Sequence, residues 1–294
     1  MKYKKILFIG LGGAGQRHLR IFHDLLPEGT EFFAYRSKSS TPLLNADFTV
    51  NTKSSLNTEY NLKEYNSIDN AFSNKPDLTV ISTPTSFHID FMIKAIENGS
   101  AVFVEKPWSE NLNHFKEFRE LVINKKIPFN ISFQRRYHPK ISKAHSFIKE
   151  GKIGKLISAT FNVFSNVPFW HPYEDWKKLY AVNSNLGGGV LLTEIHEIDL
   201  AYWFFGLPKE VFCVGGNRSN EILDIEDTVQ IILIYKNFSV QITLCFMHKK
   251  QSRNFHIAGT SGDIIWNDSS NELIISSFNK NKNYIDNDIV KNDD

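Results

Sequence analysis

Cysteine is nearly absent from this sequence, with only Cys213 and Cys245 among 294 residues. Neither belongs to a CxxC pair, which excludes a disulfide framework, a zinc ribbon and a thiol redox motif as organising devices. Both lie in apolar runs, so both are expected to be buried structural thiols, and a reducing cytoplasm suits them. Long apolar runs are missing too: nothing approaches the roughly 18–20 residues of a membrane span, and no membrane partner is expected. Neither sign of charge dominates. Lys plus Arg number 34 and Asp plus Glu 32, for a formal net charge of +2. Without a basic block there is no footprint for nucleic acid. No internal repeat is visible, and the Asn-, Lys- and Asp-rich stretch from Asn279 reads as a frayed end. Lys2, Lys4 and Lys5 before Ile6–Gly10 imitate a secretory leader, but the apolar stretch is short and broken by glycine, so none is expected.

What is present is enough apolar residue for proper cores, 41%, at a length that suggests two domains at roughly 100–200 residues each. In the first half, strand and helix patterns alternate. Ile6–Ile9, Phe32–Tyr35, Leu78–Ser82, Ala101–Val104 and Ile127–Phe133 read as strands. Gln16–Leu26, Ser86–Glu97 and Asn111–Asn124 read as helices, while the polar stretch from Ser37 to about Asn66 gives no clear pattern. Buried strands alternating with helices imply a parallel sheet covered on both faces. The second half changes character. Leu156–Phe164 alternates like a strand with one wet face, one helix spans Glu194–Phe205, and six short strands follow between Val211 and Phe278. Lys236-Asn237 reads as a hairpin turn. The expected class is therefore α/β followed by α+β, a Rossmann parallel sheet over 1–136 and a mostly antiparallel open sheet over 137–294.

Gly10-Leu11-Gly12-Gly13-Ala14-Gly15 is a GxGxxG turn between the first strand and the first helix. Gly10 permits the tight turn, Gly12 lets a pyrophosphate approach the backbone, and Gly15 lets helix and strand pack closely. The motif alone could be a plain glycine-rich turn; its place in a β-α-β run makes it a dinucleotide site. Where a ribose-gripping carboxylate would end the second strand, the sequence has Tyr35-Arg36-Ser37-Lys38. Arg36 and Ser37 there favour a 2′-phosphate, hence NADP(H), with NAD(H) possible; a solvated basic loop is the plainer reading. Ser82, Thr83 and Pro84 close the next strand, with His88 in the helix beyond, and carboxyl ends of parallel strands form the ligand crevice. Glu105-Lys106-Pro107 ends the following strand and aims a lysine into that crevice, where it could steady a developing alkoxide.

From the second half comes Gly187-Gly188-Gly189 followed by Thr193, Glu194, His196 and Asp199. Thr193 reads as a helix cap, and His196 and Asp199, three apart, share a helix face. A carboxylate beside a histidine fixes its tautomer and suits it to general acid–base work. A metal site is not expected, since His196, Glu197 and Asp199 do not all face one way. Trp170, Tyr173 and Asp175 lie on a loop that interleaves aromatic and polar residues, a pattern that fits sugar contacts or mere packing on the sheet.

Taken together, the glycine turn, Ser82–Pro84 with His88, Glu105-Lys106-Pro107, Gln134-Arg135-Arg136 before His138-Pro139, and the triple glycine with His196 and Asp199 resemble the Gfo/Idh/MocA family. That family comprises relatives of glucose–fructose oxidoreductase and inositol dehydrogenase. The resemblance implies a Rossmann domain, a second open sheet used for homodimer or homotetramer contacts, and sugar, inositol or nucleotide-sugar substrates. It further implies Lys106 and His196 as the catalytic pair and a cis Lys106–Pro107 peptide. Many members carry Asp shortly before the histidine, where this sequence has Thr193-Glu194. The expected activity is hydride transfer between a nicotinamide and a hydroxyl- or carbonyl-bearing carbon. His196 would move the proton, Lys106 would hold the oxygen, and Arg136, Trp170, Tyr173, Asp175 and Asp199 would bind substrate. Two rivals stand beside it: reduction of a C=N or bilin-like substrate on the same fold, and a cofactor-binding sensor without turnover.

Overall fold

The structure is a computed structural model describing residues 3–37, 41–171, 173–219, 221, 224–278 and 282–286, the last segment as backbone only. Two sheets organise the chain. The first is six-stranded and wholly parallel in the order β3-β2-β1-β4-β5-β6, built from β1 (Lys5–Ile9), β2 (Glu31–Tyr35), β3 (Lys63–Tyr65), β4 (Leu78–Ile81), β5 (Ala101–Glu105) and β6 (Phe129–Ser132). Helices α1 (Gly13–Leu25), α2 (Leu56–Tyr60), α3 (Ile68–Phe72), α4 (His88–Glu97) and α5 (Phe115–Lys125) connect its strands. β1 alternates between two cores. Ile6 and Phe8 pack with Leu19 of α1 and Leu56 of α2, while Leu7 and Ile9 pack with Met92 and Ile96 of α4. A strand buried on both faces must be apolar throughout, which is why this segment reads as a continuous hydrophobic run. The chain reverses direction across the sheet between β1 and β4, so a crevice opens at their carboxyl ends.

The second sheet has eight strands in the order β14-β13-β12-β11-β7-β10-β9-β8. They are β7 (Leu156–Asn166), β8 (Glu210–Gly216), β9 (Thr228–Ile234), β10 (Ser239–Cys245), β11 (Met247–Gly259), β12 (Gly262–Asn267), β13 (Glu272–Ser277) and β14 (Lys282–Asp286). Only the β7–β10 pairing is parallel. One face, carrying Phe161, Ile242, Phe255 and Trp266, is covered by α6 (Pro139–Lys149) through Ile141 and Ala144 and by α8 (His196–Phe205) through Leu200 and Phe204. Between them runs α7 (Val190–Thr193). The other face is open: Ile232 and Ile265 are exposed, as are Val211, Phe212 and Val214 on edge strand β8. No helix among the described residues is long and apolar enough to cross a membrane.

Several expectations need correction. The unreadable stretch holds an isolated Leu44–Val50 bridge, α2 and β3; elements of three to five residues are too short to show a period. Helix α6, eleven residues long, was missed as well, although Pro139 sits at its first turn, a favoured place for proline. Thr193 ends α7 and does not cap α8; Ile195 takes the capping position and offers no side-chain bond. Cys213 is exposed, because edge strand β8 is uncovered on both faces, and Cys245, at the end of β10, is half-buried. The tail after Asn279 is not wholly frayed, since β14 pairs with β13; 279–281 and 287–294 lie outside the described residues, as do Lys38 and Pro172. The Lys236-Asn237 hairpin joins β9 to β10, with Tyr235 N donating to Phe238 O at 3.0 Å.

Phe161 is the natural probe of the second core. It is buried, and its ring lies 5.9 Å from Phe204 and 5.5 Å from Phe255. Phe161→Ala should cost about 3–5 kcal/mol through lost burial and the cavity left behind. Denaturant unfolding measures it, and an unchanged midpoint would mean that β7 is not the centre of this core.

Candidate active site

The glycine turn forms one end of a cleft of about 760 Å³. Gly10 has φ +91°, and a Cβ on it would lie 2.7 Å from the Ser82 carbonyl oxygen. A Cβ on Gly15 would lie 2.2 Å from Gly10 O, so β1 and α1 meet at a distance only glycine allows. Gly12 has nothing within 4 Å of its would-be Cβ, which leaves the backbone open to a ligand. Gly13, Ala14 and Arg17 line the cleft beside it. Buried Gln16 donates to Leu11 O and Pro42 O and accepts from Leu44 N at 2.8 Å, fixing the 41–50 loop against the turn. That loop delivers Phe48, held at φ +64°, with its ring against Gly13. Left-handed φ is costly for a bulky residue and tends to mark a functional position. Phe48 stacks in turn on His171, 5.7 Å away, and His171 on Tyr173 at 5.3 Å. Burial, then the neighbouring Glu174, pushes the Tyr173 hydroxyl up.

The strand ends supply the walls. Arg36 and Ser37 follow β2 and line the cleft. Arg36 is already engaged: it donates to Glu64 Oε1 at 2.8 Å and to Thr41 O at 2.9 Å. Ser82, Thr83 and Pro84 follow β4; among the described residues, Ser82 Oγ and Thr83 Oγ1 are buried without a hydrogen-bond partner. His88 braces this wall, with Nδ1 2.7 Å from Pro107 O and Nε2 2.8 Å from Thr83 O. Burial pulls its pKa down, against the pull of the two carbonyls.

At the end of β5, Glu105 meets His18 Nε2 at 2.6 Å, lies 3.5 Å from Arg17 and accepts from the Lys106 amide at 3.1 Å. Burial alone would raise this carboxyl; the His18 hydrogen bond and the charges of His18, Lys106 and Arg17 outweigh it and hold it at about 2. The Lys106–Pro107 peptide is cis, as expected. Lys106 Nζ reaches across to the second half and donates to Thr193 O at 2.6 Å.

His196 opens α8 and is buried, with the Phe133 ring edge-on at 6.2 Å. Burial lowers its pKa well below 6.5, and the charges of Lys106, Arg253, Arg135 and Arg17 lower it further. It is a neutral imidazole at physiological pH. Asp199 does not face it. Asp199 instead binds Arg136, whose Nε donates to Oδ2 at 2.8 Å in a two-pronged pair, and His196 Nδ1 has no partner among the described residues. A planar guanidinium matches a carboxylate better than an imidazole three residues along the helix.

The cleft thus gathers the expected glycine turn, strand-end residues, Lys106, His196, Trp170 and Tyr173. Gly15 packs behind the turn. Arg136 and Asp199 are spent on each other outside the lining, and Asp175 is exposed and caps a short turn by accepting from Lys177 N at 3.1 Å. Among the lining residues to which the sequence reading gave no site role are Arg17, Phe48, Arg135 and Arg253. Arg253 is largely buried, its side chain 11% exposed, bonded to Glu194 and 3.4 Å from Glu197. Its signal was present, because Arg253 falls two residues before buried Phe255 and Ile257 on the inward face of β11. A cation on an apolar face calls for a buried partner.

Comparison with known proteins agrees with this arrangement. Residues 4–131 match the family described as "Oxidoreductase family, NAD-binding Rossmann fold", and residues 141–265 match the "GFO/IDH/MocA C-terminal domain". Over 165 residues the chain is 34% identical to scyllo-inositol 2-dehydrogenase (NAD(+)) of Bacillus subtilis, a match covering 55% of this chain and 45% of that one. Over 221 residues it is 25% identical to levoglucosan dehydrogenase of Pseudarthrobacter phenanthrenivorans, covering 65% and 56%. The chain thus spans about half the length of the curated relatives it matches. In fold it is similar to the WlbA dehydrogenase from Bordetella pertussis, solved with NADH and UDP-GlcNAcA: TM-score 0.75 at 18% identity, over 90% of this chain and 78% of that one.

The Glu105 cluster carries a pH signature. The folded carboxyl titrates at about 2 against an ordinary 4.5, so its stabilisation is present above about pH 4.5 and is lost as pH falls through about 2. That difference amounts to about 3 kcal/mol at neutral pH. Glu105→Gln should remove most of it and flatten stability between those two pH values. A mutant whose acid unfolding curve overlays the wild type would show that the cluster contributes nothing.

Proposed function

The chain belongs to the GFO/IDH/MocA oxidoreductase family, and on that premise we propose that it is an NAD(P)-dependent dehydrogenase or reductase acting on a sugar, inositol or nucleotide-sugar carbon that bears a hydroxyl or carbonyl. The observation that carries this reading is the meeting of Lys106, from the end of β5, with His196, from the start of α8, on the same cleft as the glycine turn. Similar proteins act on scyllo-inositol and levoglucosan, by their names.

The residues present fit a dinucleotide. Gly12 leaves backbone open for a pyrophosphate, α1 presents its N-terminus to it, and the buried Ser82 and Thr83 hydroxyls face the cleft wall without partners among the described residues. When bound, the nicotinamide supplies or accepts the hydride. His196, neutral at working pH, takes the substrate hydroxyl proton in the oxidative direction and returns it in reduction. Lys106 turns its ammonium from Thr193 O to the reacting oxygen and stabilises negative charge there. Trp170 and Tyr173 supply aromatic surface for the substrate. The NADP(H) preference expected from Arg36 rests on a guanidinium that Glu64 already neutralises, so we assign NAD(H) to the wild type, with NADP(H) second.

The two functional halves are 1–136 and 137–294, meeting at the Gln134–Tyr137 turn. The open face of the second sheet, with exposed Phe212, Val214 and Ile232, suits a homodimer or homotetramer contact. We place the protein in the cytoplasm.

Steady-state turnover on a panel of inositols, pyranoses and nucleotide sugars, together with cofactor titration, tests the assignment. His196→Ala should lower the rate ~10²–10⁴-fold, and Lys106→Ala at least comparably, with NADH binding retained in both. If both variants keep wild-type turnover, the catalytic pair is wrong. A wild type that binds NADH and turns over nothing would favour a sensor. Because His196 stays neutral well below 6.5, oxidative kcat/KM should hold level from about pH 8 down past that value, and an acid limb near 6.5 would contradict its depressed pKa.

A further inference from the structure

Glu64 occupies a place the dinucleotide reading does not use. It lies on β3, the outermost strand of the parallel sheet, and the register pairs it with Ala34 of β2. Arg36 N donates to Tyr65 O at 3.0 Å, which extends the β2–β3 pairing past the end of β2 and brings Arg36 alongside Glu64. The result is a close ion pair: Arg36 Nη1 to Glu64 Oε1 at 2.8 Å, with side chains only 8% and 20% exposed. The other arm of the guanidinium donates to Thr41 O at 2.9 Å. Arg36, Ser37 and Thr41 line the cleft, whereas Glu64 stands behind Arg36 and does not. Elsewhere on the lining, no carboxylate follows β2 to grip a ribose 2′-hydroxyl, since Tyr35 is followed by Arg36 and Ser37.

We propose that Glu64 is a positioning residue that sets cofactor preference: it holds and neutralises Arg36, so that the adenosine end of the cleft accepts an unphosphorylated ribose and disfavours a 2′-phosphate. This rests on the dinucleotide reading above. An exposed pair would be screened and weak, but a part-buried one acts at low effective dielectric, where Glu64 competes strongly with a ligand phosphate for the guanidinium. A lone Arg36 at that point would instead attract a 2′-phosphate, which is why the sequence by itself favours NADP(H). The two-pronged hold on Glu64 and Thr41 also fixes the guanidinium plane and takes two of its five N–H donors, so a 2′-phosphate must compete with Glu64 for the same cation.

Dissociation constants for NADH and NADPH, measured by fluorescence on the wild type, Glu64→Gln, Arg36→Ala and the double variant, test this. The wild type should bind NADH more tightly. Glu64→Gln should move the NADPH-to-NADH ratio toward NADPH by at least about tenfold, because the guanidinium it releases can then form a charge-assisted hydrogen bond to the 2′-phosphate. In the Arg36→Ala background the same substitution should move it by less than about threefold, because the effect runs through Arg36. A loss of fold would be seen in the thermal unfolding of Glu64→Gln, and Glu64→Thr, which suits a strand, then serves in its place. The proposal is overturned by a wild type that binds NADPH more tightly, by an unchanged ratio in a folded Glu64 variant, or by an undiminished shift without Arg36. Failure of the wild type to bind NADH would overturn the dinucleotide reading as well, and so is distinct from a failure in the ratio alone.

Discussion

The Gly10 carbonyl and the backbone of Gly15 lie so close that a side-chain carbon on Gly15 would fall 2.2 Å from the oxygen, and the geometry of the cleft follows from this contact. It sets the first turn of α1 directly on the end of β1. From that position Gln16 pins the 41–50 loop, Arg17 and His18 land on Glu105, and Gly12 is left facing open space. The glycine turn, the aromatic wall at Phe48 and the carboxylate beneath Lys106 are therefore set by one helix, and its placement admits no side chain at the contact.

Charge is arranged around that frame by burial. Glu105 is kept ionised by His18, Arg17 and Lys106 in a place where burial alone would neutralise it. Across the cleft, Arg253 is largely buried and is held by Glu194 and Glu197, since a buried ion without partners would not persist. His196 lies between these groups. Burial first, and then the charges of four cations, keep its imidazole neutral. The proposed reaction asks for an imidazole free to take a proton, and this surrounding leaves it so.

The parts of this site that local chemistry specifies were legible in the sequence. The glycine turn, the Lys106–Pro107 step and His196 after a triple glycine are each written within a few residues. So was the change from alternating β and α to a mostly antiparallel sheet, because the burial period changes with it. What escaped depends on partners distant in the chain. The i, i+3 spacing of His196 and Asp199 describes a helix face, but not that Arg136 would arrive from the Gln134–Tyr137 turn and take the carboxylate. Arg36 was visible, while its partner Glu64 sits in a strand of three residues with no period of its own. Phe48 lies in a loop whose conformation is imposed by Gln16.

The 2.6 Å bond from Lys106 Nζ to Thr193 O gives the lysine an acceptor on the opposite wall of the cleft. A free lysine must give up rotamer freedom in its four-carbon stem, and shed water from its ammonium, each time it engages a reacting oxygen. Here the stem is ordered and the ammonium partly desolvated by the fold itself. In the reaction proposed above, engagement would be an exchange of one oxygen acceptor for another, with little solvent to rearrange.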